Sequence, residues 1–246
     1  MSNVIHLEQL SLTYEDRLIF HELTTNIKEK EFVSILGPSG CGKSSLLNIL
    51  SGTLTPSGGH FAVDGVTVTG LNDHFSYMPQ EDLLFDWKTV YDNITLYQTL
   101  HHLPIDHQAI DEYLKIFGLT EVKHALPTTL SGGMRQRVAF LRTVLVDRDI
   151  LLLDEPFGAL DIFTRQQLQD WLKTISSQLN KTIILVTHDI DEALYLSDRI
   201  LIMGHQPSTF VSEMSFEHTE QTREWLADQG ALRYSIYQHL AKVKEV

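Results

Sequence analysis

Eight residues, Gly37-Pro38-Ser39-Gly40-Cys41-Gly42-Lys43-Ser44, set a glycine-rich loop between an apolar run and an amphipathic pattern. No other segment restricts the folding of this chain as much. Upstream, Glu31 to Leu36 (EFVSIL) reads as a buried strand; downstream, Lys43 to Leu50 carries Leu46, Leu47, Ile49 and Leu50 at helical spacing. Glycines at such a turn let successive backbone N–H groups point inward, at the positive end of the following helix, and cradle phosphate oxygens. Lys43 then reaches the β- and γ-phosphates of a nucleotide, and the Ser44 hydroxyl ligates Mg²⁺.

The remaining apolar runs fit this opening. Ile150–Leu153, Thr182–Thr187 and Ile200–Met203 are continuous apolar stretches, and a helical pattern at Phe163–Leu179 separates the first two. Fully apolar strands alternating with helices imply an α/β fold with a parallel sheet covered on both faces. Residues 4–14 and 59–70 alternate more openly and read as antiparallel strands, with turn residues at Pro56-Ser57-Gly58-Gly59. Helical patterns at Val90–Leu100, Ile110–Phe117 and Met134–Val146 suggest a helical block inserted into the core. The tail from Glu220 carries apolar residues at 232, 236, 240 and 243, a packing stripe interrupted at Gly230.

Composition narrows the partners. The 246 residues carry 19 Lys and Arg against 32 Asp and Glu, a net charge of −13. Nucleic acid or an anionic membrane surface is therefore a poor partner for the chain as a whole. A single cysteine excludes an internal disulfide and fits a reducing compartment. The first ten residues lack a basic stretch leading into an apolar one, and no run approaches the roughly 18 apolar residues of a membrane span, so a cytoplasmic soluble protein is expected.

Several other residues bear on chemistry. Ile150–Leu153 delivers Asp154 to a strand end, where it can hold Mg²⁺ through its water shell, and Glu155 beside it is placed for a general base. Ser131 is a natural helix N-cap, and Gly132 and Gly133 expose backbone N–H groups at that helix's positive end, a second phosphate-binding end or a plain helix start. His188, after the Thr182–Thr187 strand, can bond a terminal phosphate or be structural. Gln80 can contact a metal or a water, or be a turn residue. Tyr14 can stack on a base or be an ordinary strand aromatic. Cys41 lies in the loop near Lys43 and a helix N-terminus, a setting expected to lower its thiol pKa; it can equally be a small filler.

Together these residues resemble the nucleotide-binding subunits of ABC transporters over nearly the whole chain. The Walker A loop is Gly37–Ser44, Walker B is Ile150–Asp154 with Glu155, and the signature is Leu130–Met134. Gln80 matches the Q-loop, Gly158–Asp161 the D-loop, His188 the H-loop and Tyr14 the A-loop aromatic. The resemblance implies a P-loop NTPase fold, a RecA-like parallel sheet with an antiparallel β subdomain and an inserted helical subdomain. It divides the chain into a core at 1–84 and 147–215, a helical signature subdomain at 85–146 and a C-terminal helical tail at 216–246.

By the same resemblance, ATP is bound by Tyr14, Gly37, Pro38, Ser39, Gly40, Cys41, Gly42, Lys43, Ser44 and Ser45. Mg²⁺ is held by Ser44, Gln80 and Asp154. Glu155 activates water, His188 holds the γ-phosphate, and Ser131, Gly132 and Gly133 contact ATP bound to a partner. That partner is a second copy or a related ATPase subunit, and two such subunits sandwich two ATPs. LSGGMRQR, DEPFGALD and the 83–94 segment are similar to import ATPases for nitrate, sulfonate, taurine and thiamine precursors. Met134 stands where glutamine is commonest, Gly158 where serine is common and Asp86 where proline is frequent. The chain also ends before the regulatory domain of the longer sugar-import ATPases. The implied function is ATP hydrolysis driving import through a separate membrane permease. An extracytoplasmic solute-binding protein acts through that permease, and the chain is peripheral on the cytoplasmic face of the cell membrane. Glu81–Asn93, with Leu83, Leu84, Phe85 and Trp87 exposed, would receive the permease. A soluble ABC ATPase of translation or DNA repair and an exporter subunit are the alternatives.

Overall fold

The computed structural model describes residues 3–179, 181–204, 207–216 and 220–242. Its larger sheet is organised around β3 (Phe32–Leu36), every residue of which is buried. Beside it lie β8 (Thr182–Thr187) and β9 (Arg199–Gly204), both parallel to it; β7 (Ile150–Asp154) follows β8, and β6 (Phe75–Met78) closes that edge. β10 (Thr209–Ser215) closes the other edge antiparallel to β9, giving the order β10-β9-β3-β8-β7-β6.

Strand periodicity divides the core. Phe32, Leu36, Leu151, Leu153, Ile183 and Leu185 face one apolar cluster, whereas Val33, Ile35, Leu152, Ile184 and Val186 face another. Alternate side chains point to opposite faces, so strands buried on both sides must be apolar throughout. The first face is covered by α5 (Gly132–Val144), α6 (Ile162–Leu179) and α7 (Ile190–Leu196). The second is covered by α1 (Lys43–Ser51) and by an antiparallel sheet. That sheet comprises β1 (Asn3–Tyr14), β2 (Arg17–Lys28), β4 (Gly58–Val63) and β5 (Val66–Thr67), in the order β2-β1-β4-β5. Burying each Leu or Ile completely contributes roughly 1.5–3 kcal/mol, so this double cover dominates the fold's stability.

The helical segments depart from expectation in detail. The helix expected at Val90–Leu100 is divided into α2 (Val90–Ile94) and α3 (Leu96–Leu100) at Thr95, whose buried hydroxyl donates to the Tyr91 carbonyl at 2.8 Å. α4 (His107–Ile116) follows. In the tail, α8 (Arg223–Ala227) precedes α9 (Gly230–Lys242), so Gly230 begins the last helix instead of interrupting it. Ile236 is fully buried and Leu232 and Leu240 pack beside it; Val243 lies outside the described residues. Arg223 fastens the tail by stacking 3.7 Å over the Tyr195 ring while pairing with Asp170 at 2.7 Å. Among the described residues, no helix is long and apolar enough to cross a membrane.

Candidate nucleotide site

β3 ends at Leu36 and α1 begins at Lys43, so the loop between them occupies the C-terminal edge of the parallel strands, where ligands of such sheets bind. Two glycines are sterically required. A Cβ on Gly37 would come 2.6 Å from the Met203 carbonyl oxygen and 2.7 Å from Cys41 Sγ. Gly42, at φ 97°, would drive a Cβ to 2.8 Å from Ile19 Cγ2. Gly42 is the N-cap of α1 and offers no capping side chain. The first N–H groups of this helix are therefore left for an anion. Lys43 is buried, and its Nζ donates to the carbonyls of Gly37 at 2.8 Å and Pro38 at 3.0 Å. Its charge is thereby held inside the loop.

The expected activation of Cys41 is not found. The thiol is 3% exposed, and burial pushes its pKa up despite the nearby ammonium of Lys43. Desolvating a thiolate costs more than the helix end and one lysine return. Cys41 is a small filler beneath the loop.

Across the sheet, β7 carries Asp154 to the same edge. The carboxylate is 1% exposed and hydrogen-bonded to the Ser44 side chain, its Oδ1 has no hydrogen-bond partner, and burial pushes its pKa up. A buried carboxylate oxygen without a donor is costly and fits a cation. The paired Ser44 hydroxyl and Asp154 carboxylate form an all-oxygen donor set suited to Mg²⁺. Glu155 follows with φ 49°, its N–H donating to the Val186 carbonyl at 2.9 Å. This left-handed residue directly follows the end of β7. There His188, just beyond β8, brings Nδ1 to 3.2 Å from Glu155 Oε1. The His188 side chain is 62% exposed.

The remaining sequence candidates are placed around this centre. Gln80 is exposed beyond β6, whose Met78 pairs with Leu153 of β7, so it sits one strand from Asp154 at the same edge. Tyr14 is 60% exposed at the β1–β2 hairpin, opposite Arg17; the hairpin's Ile19 and Phe20 border Gly42. Ser131 caps α5 by accepting from Met134 N at 3.3 Å, and it and Gly132 are exposed. Among the described residues, no hydrogen bond joins 131–133 to the 37–44 loop. The chain brings Lys43, Ser44, Asp154, Glu155 and His188 together, while Ser131 and Gly132 stay exposed at the start of α5.

One residue escaped the sequence reading. Gln136, 9% exposed, donates from Nε2 to the Glu155 carbonyl at 3.0 Å and accepts from Ala159 N at 2.8 Å. A polar side chain within the apolar stripe that includes Ala139, Phe140 and Thr143 is the signal that marks it.

A family model described as ABC transporter matches residues 20–158. The chain belongs to the ABC transporter family. This ABC cassette is 37% identical to an ATP-binding protein of Brucella abortus over 96% of this chain and 95% of that one. It is 39% identical to a nitrate import ATP-binding protein of Synechococcus elongatus, covering 78% and 72% of the two chains. An aliphatic sulfonates import ATP-binding protein of Bacillus cereus is 42% identical, covering 77% and 75%. Among solved structures, an ATP-binding cassette captured as a dimer after hydrolysis, with ADP and Pi, superposes with a TM-score of 0.79 at 29% identity, over 87% of this chain and all of that one. The cassette thus binds and hydrolyses ATP, and the sheet order and loop geometry follow the P-loop NTPase plan expected from the sequence.

Proposed function

We propose that the cassette is the ATPase subunit of an importer for a small anion such as nitrate or a sulfonate. It would pair with a second copy and work peripherally on the cytoplasmic face of the membrane against a separate permease. An extracytoplasmic solute-binding protein supplies the cargo in this scheme. The observation that supports the reading is that Lys43, Asp154 and Glu155 come together in one chain, whereas Ser131 and Gly132 are exposed and, among the described residues, share no hydrogen bond with the 37–44 loop. Two copies in opposed orientation would complete two sites. The relatives' names support import of nitrate and sulfonates.

In this scheme the N–H groups of residues 37–45 and Lys43 hold the phosphates, and Tyr14 stacks on the base. Ser44 and Asp154, with Gln80 alongside, would hold Mg²⁺, which supplies charge neutralisation between the phosphates. Glu155 takes the proton of the attacking water, and His188 orients the Glu155 carboxylate through their 3.2 Å contact while reaching for the γ-phosphate. Export, nucleic-acid work and a purely soluble role have less support. The docking face is narrower than expected: Leu83 and Trp87 are exposed, whereas Leu84 packs against the core and Phe85 is half-buried against Trp87.

Affinity capture of the tagged chain from detergent-solubilised native membranes, followed by mass spectrometry, tests the reading. A multi-span permease and a solute-binding protein should be recovered. Recovery of ribosomal or repair proteins with no membrane protein would overturn it.

A further inference from the structure

β8 ends at Thr187, and the residue that ends it also builds the turn carrying His188. Thr187 is buried. Its hydroxyl accepts from Asp189 N at 3.0 Å, which closes a turn over His188, and donates to Glu192 Oε2 at 2.7 Å. Glu192 is a buried residue of α7. Asp189 is the N-cap of that helix, its Oδ1 accepting from Asp191 N at 2.8 Å and Glu192 N at 3.2 Å. On the other side stands Arg165 of α6, with Nη1 3.6 Å from Asp189 Oδ2 and Nη2 donating to the Leu160 carbonyl at 3.3 Å. The residues on both sides of His188 are thus tied to helices, while its ring meets Glu155 at 3.2 Å. A buried carboxyl group is a poor source of stability. Such departures from an apolar interior are expected where a site is being positioned.

We propose that Thr187 and Glu192 are positioning residues for hydrolysis: the Thr187 hydroxyl, held by Glu192, fixes the turn that sets His188 against Glu155 and the γ-phosphate. The inference rests on the role given to His188 above. Neither residue touches the reacting atoms. Without the hydroxyl, the Asp189 N–H loses its partner in the turn, and the link from the end of β8 to α7 is cut. The imidazole then drifts from Glu155, whereas the loop at 37–45 keeps its phosphate contacts. A displacement of about 1 Å at a reacting centre can cost on the order of 10²-fold in rate, so a small slip of this turn is enough to matter.

The test asks whether the two residues act through His188. Hydrolysis by the full chain is measured as single turnovers with γ-labelled MgATP, which keeps slow variants in range, beside equilibrium binding of a fluorescent ATP analogue. Thr187→Val removes the hydroxyl at similar size and should slow hydrolysis roughly tenfold. Glu192→Leu, which removes the acceptor, should do the same. Thr187→Ser and Glu192→Gln keep the hydroxyl and the acceptor, and should stay within about twofold of the parent. Affinity for the analogue should hold throughout. The deciding measurement is a double-mutant cycle. Added to His188→Ala, Thr187→Val should slow hydrolysis no further, because residues that act through one group are not additive. If Thr187→Val does not fold, Glu192→Leu in the His188→Ala chain decides. A further tenfold loss in the double variant, a Thr187→Val chain as fast as the parent, or a parallel loss of nucleotide affinity would overturn the proposal. A His188→Ala chain as fast as the parent would overturn the role of His188 itself, and this inference with it.

Discussion

Gln136, in the first turns of the helix that starts at Gly132, holds the backbone carbonyl of Glu155 at 3.0 Å. Its second amide atom takes the N–H of Ala159 at 2.8 Å. One buried side chain thus fixes both Glu155, the proposed general base, and the loop that follows it.

Gln136→Ala would leave a carbonyl and an N–H near Glu155 without partners, at about 1–3 kcal/mol each. Hydrolysis should fall about tenfold or more as the Glu155 carboxylate loses its aim, a loss of roughly 1.4 kcal/mol in the barrier. ATP affinity should change little, because the 37–44 loop does not touch Gln136. Steady-state phosphate release beside equilibrium nucleotide binding separates the two. A parallel loss of binding would show that Gln136 serves general stability.

Glu155→Gln keeps size and backbone while removing the proton acceptor. Hydrolysis should drop by roughly 10²–10⁴-fold with MgATP binding retained. ATP-bound dimers should accumulate on size exclusion, since the phosphate contacts survive and the reaction that would release them does not. Turnover near that of the parent would move the base role away from Glu155.

Cys41 should react slowly with iodoacetamide in the folded cassette. Its thiol is 3% exposed and burial raises its pKa, so the thiolate needed for attack is scarce. Mass-spectrometric labelling at pH 7.5 should match labelling in urea only once the chain unfolds. Rapid labelling of folded protein would restore an activated cysteine.

Much of this site was legible because its signals are local. The Gly37–Ser44 loop needs its glycines within one turn, and β3, β7 and β8 are apolar throughout because both their faces are buried. Edge strands were not legible in the same way. β6 spans only Phe75–Met78 and is defined by pairing with β7, more than seventy residues on; β10 is antiparallel and half-exposed, without a continuous apolar run. At Cys41 the chain neighbours announce Lys43 and a helix end, whereas burial is set by Gly37 and the packing beneath it, so the sequence left an activated thiol and a small filler both open. Gln136 stands out locally only as a polar residue in a buried stripe; its partners lie 19 and 23 residues away, beyond any local pattern.

Glu192 carries the last expectation. Its side chain is 6% exposed, accepts from the Thr187 hydroxyl at 2.7 Å and has Arg165 Nε 4.0 Å away, with Asp189 and His188 nearby. Burial, with the like charge of Asp189, pushes its pKa from 4.5 to about 7, against the opposing pull of the Thr187 hydroxyl, Arg165 and His188. Between those values the folded protein keeps a proton that the unfolded chain has released, so stability falls as pH rises through that window and levels off above about 7. At about 1.4 kcal/mol per pH unit, the loss amounts to roughly 3 kcal/mol. Glu192→Gln retains a partner for Thr187 and cannot ionise, so its stability relative to the parent should increase by that amount between pH 4.5 and pH 7.5. Urea unfolding of both chains at the two pH values measures the difference directly, and subtracting one from the other removes the contribution of Asp154, which burial shifts in the same direction. An unchanged difference would mean that Glu192 is ionised in the folded protein and that Arg165 outweighs its burial.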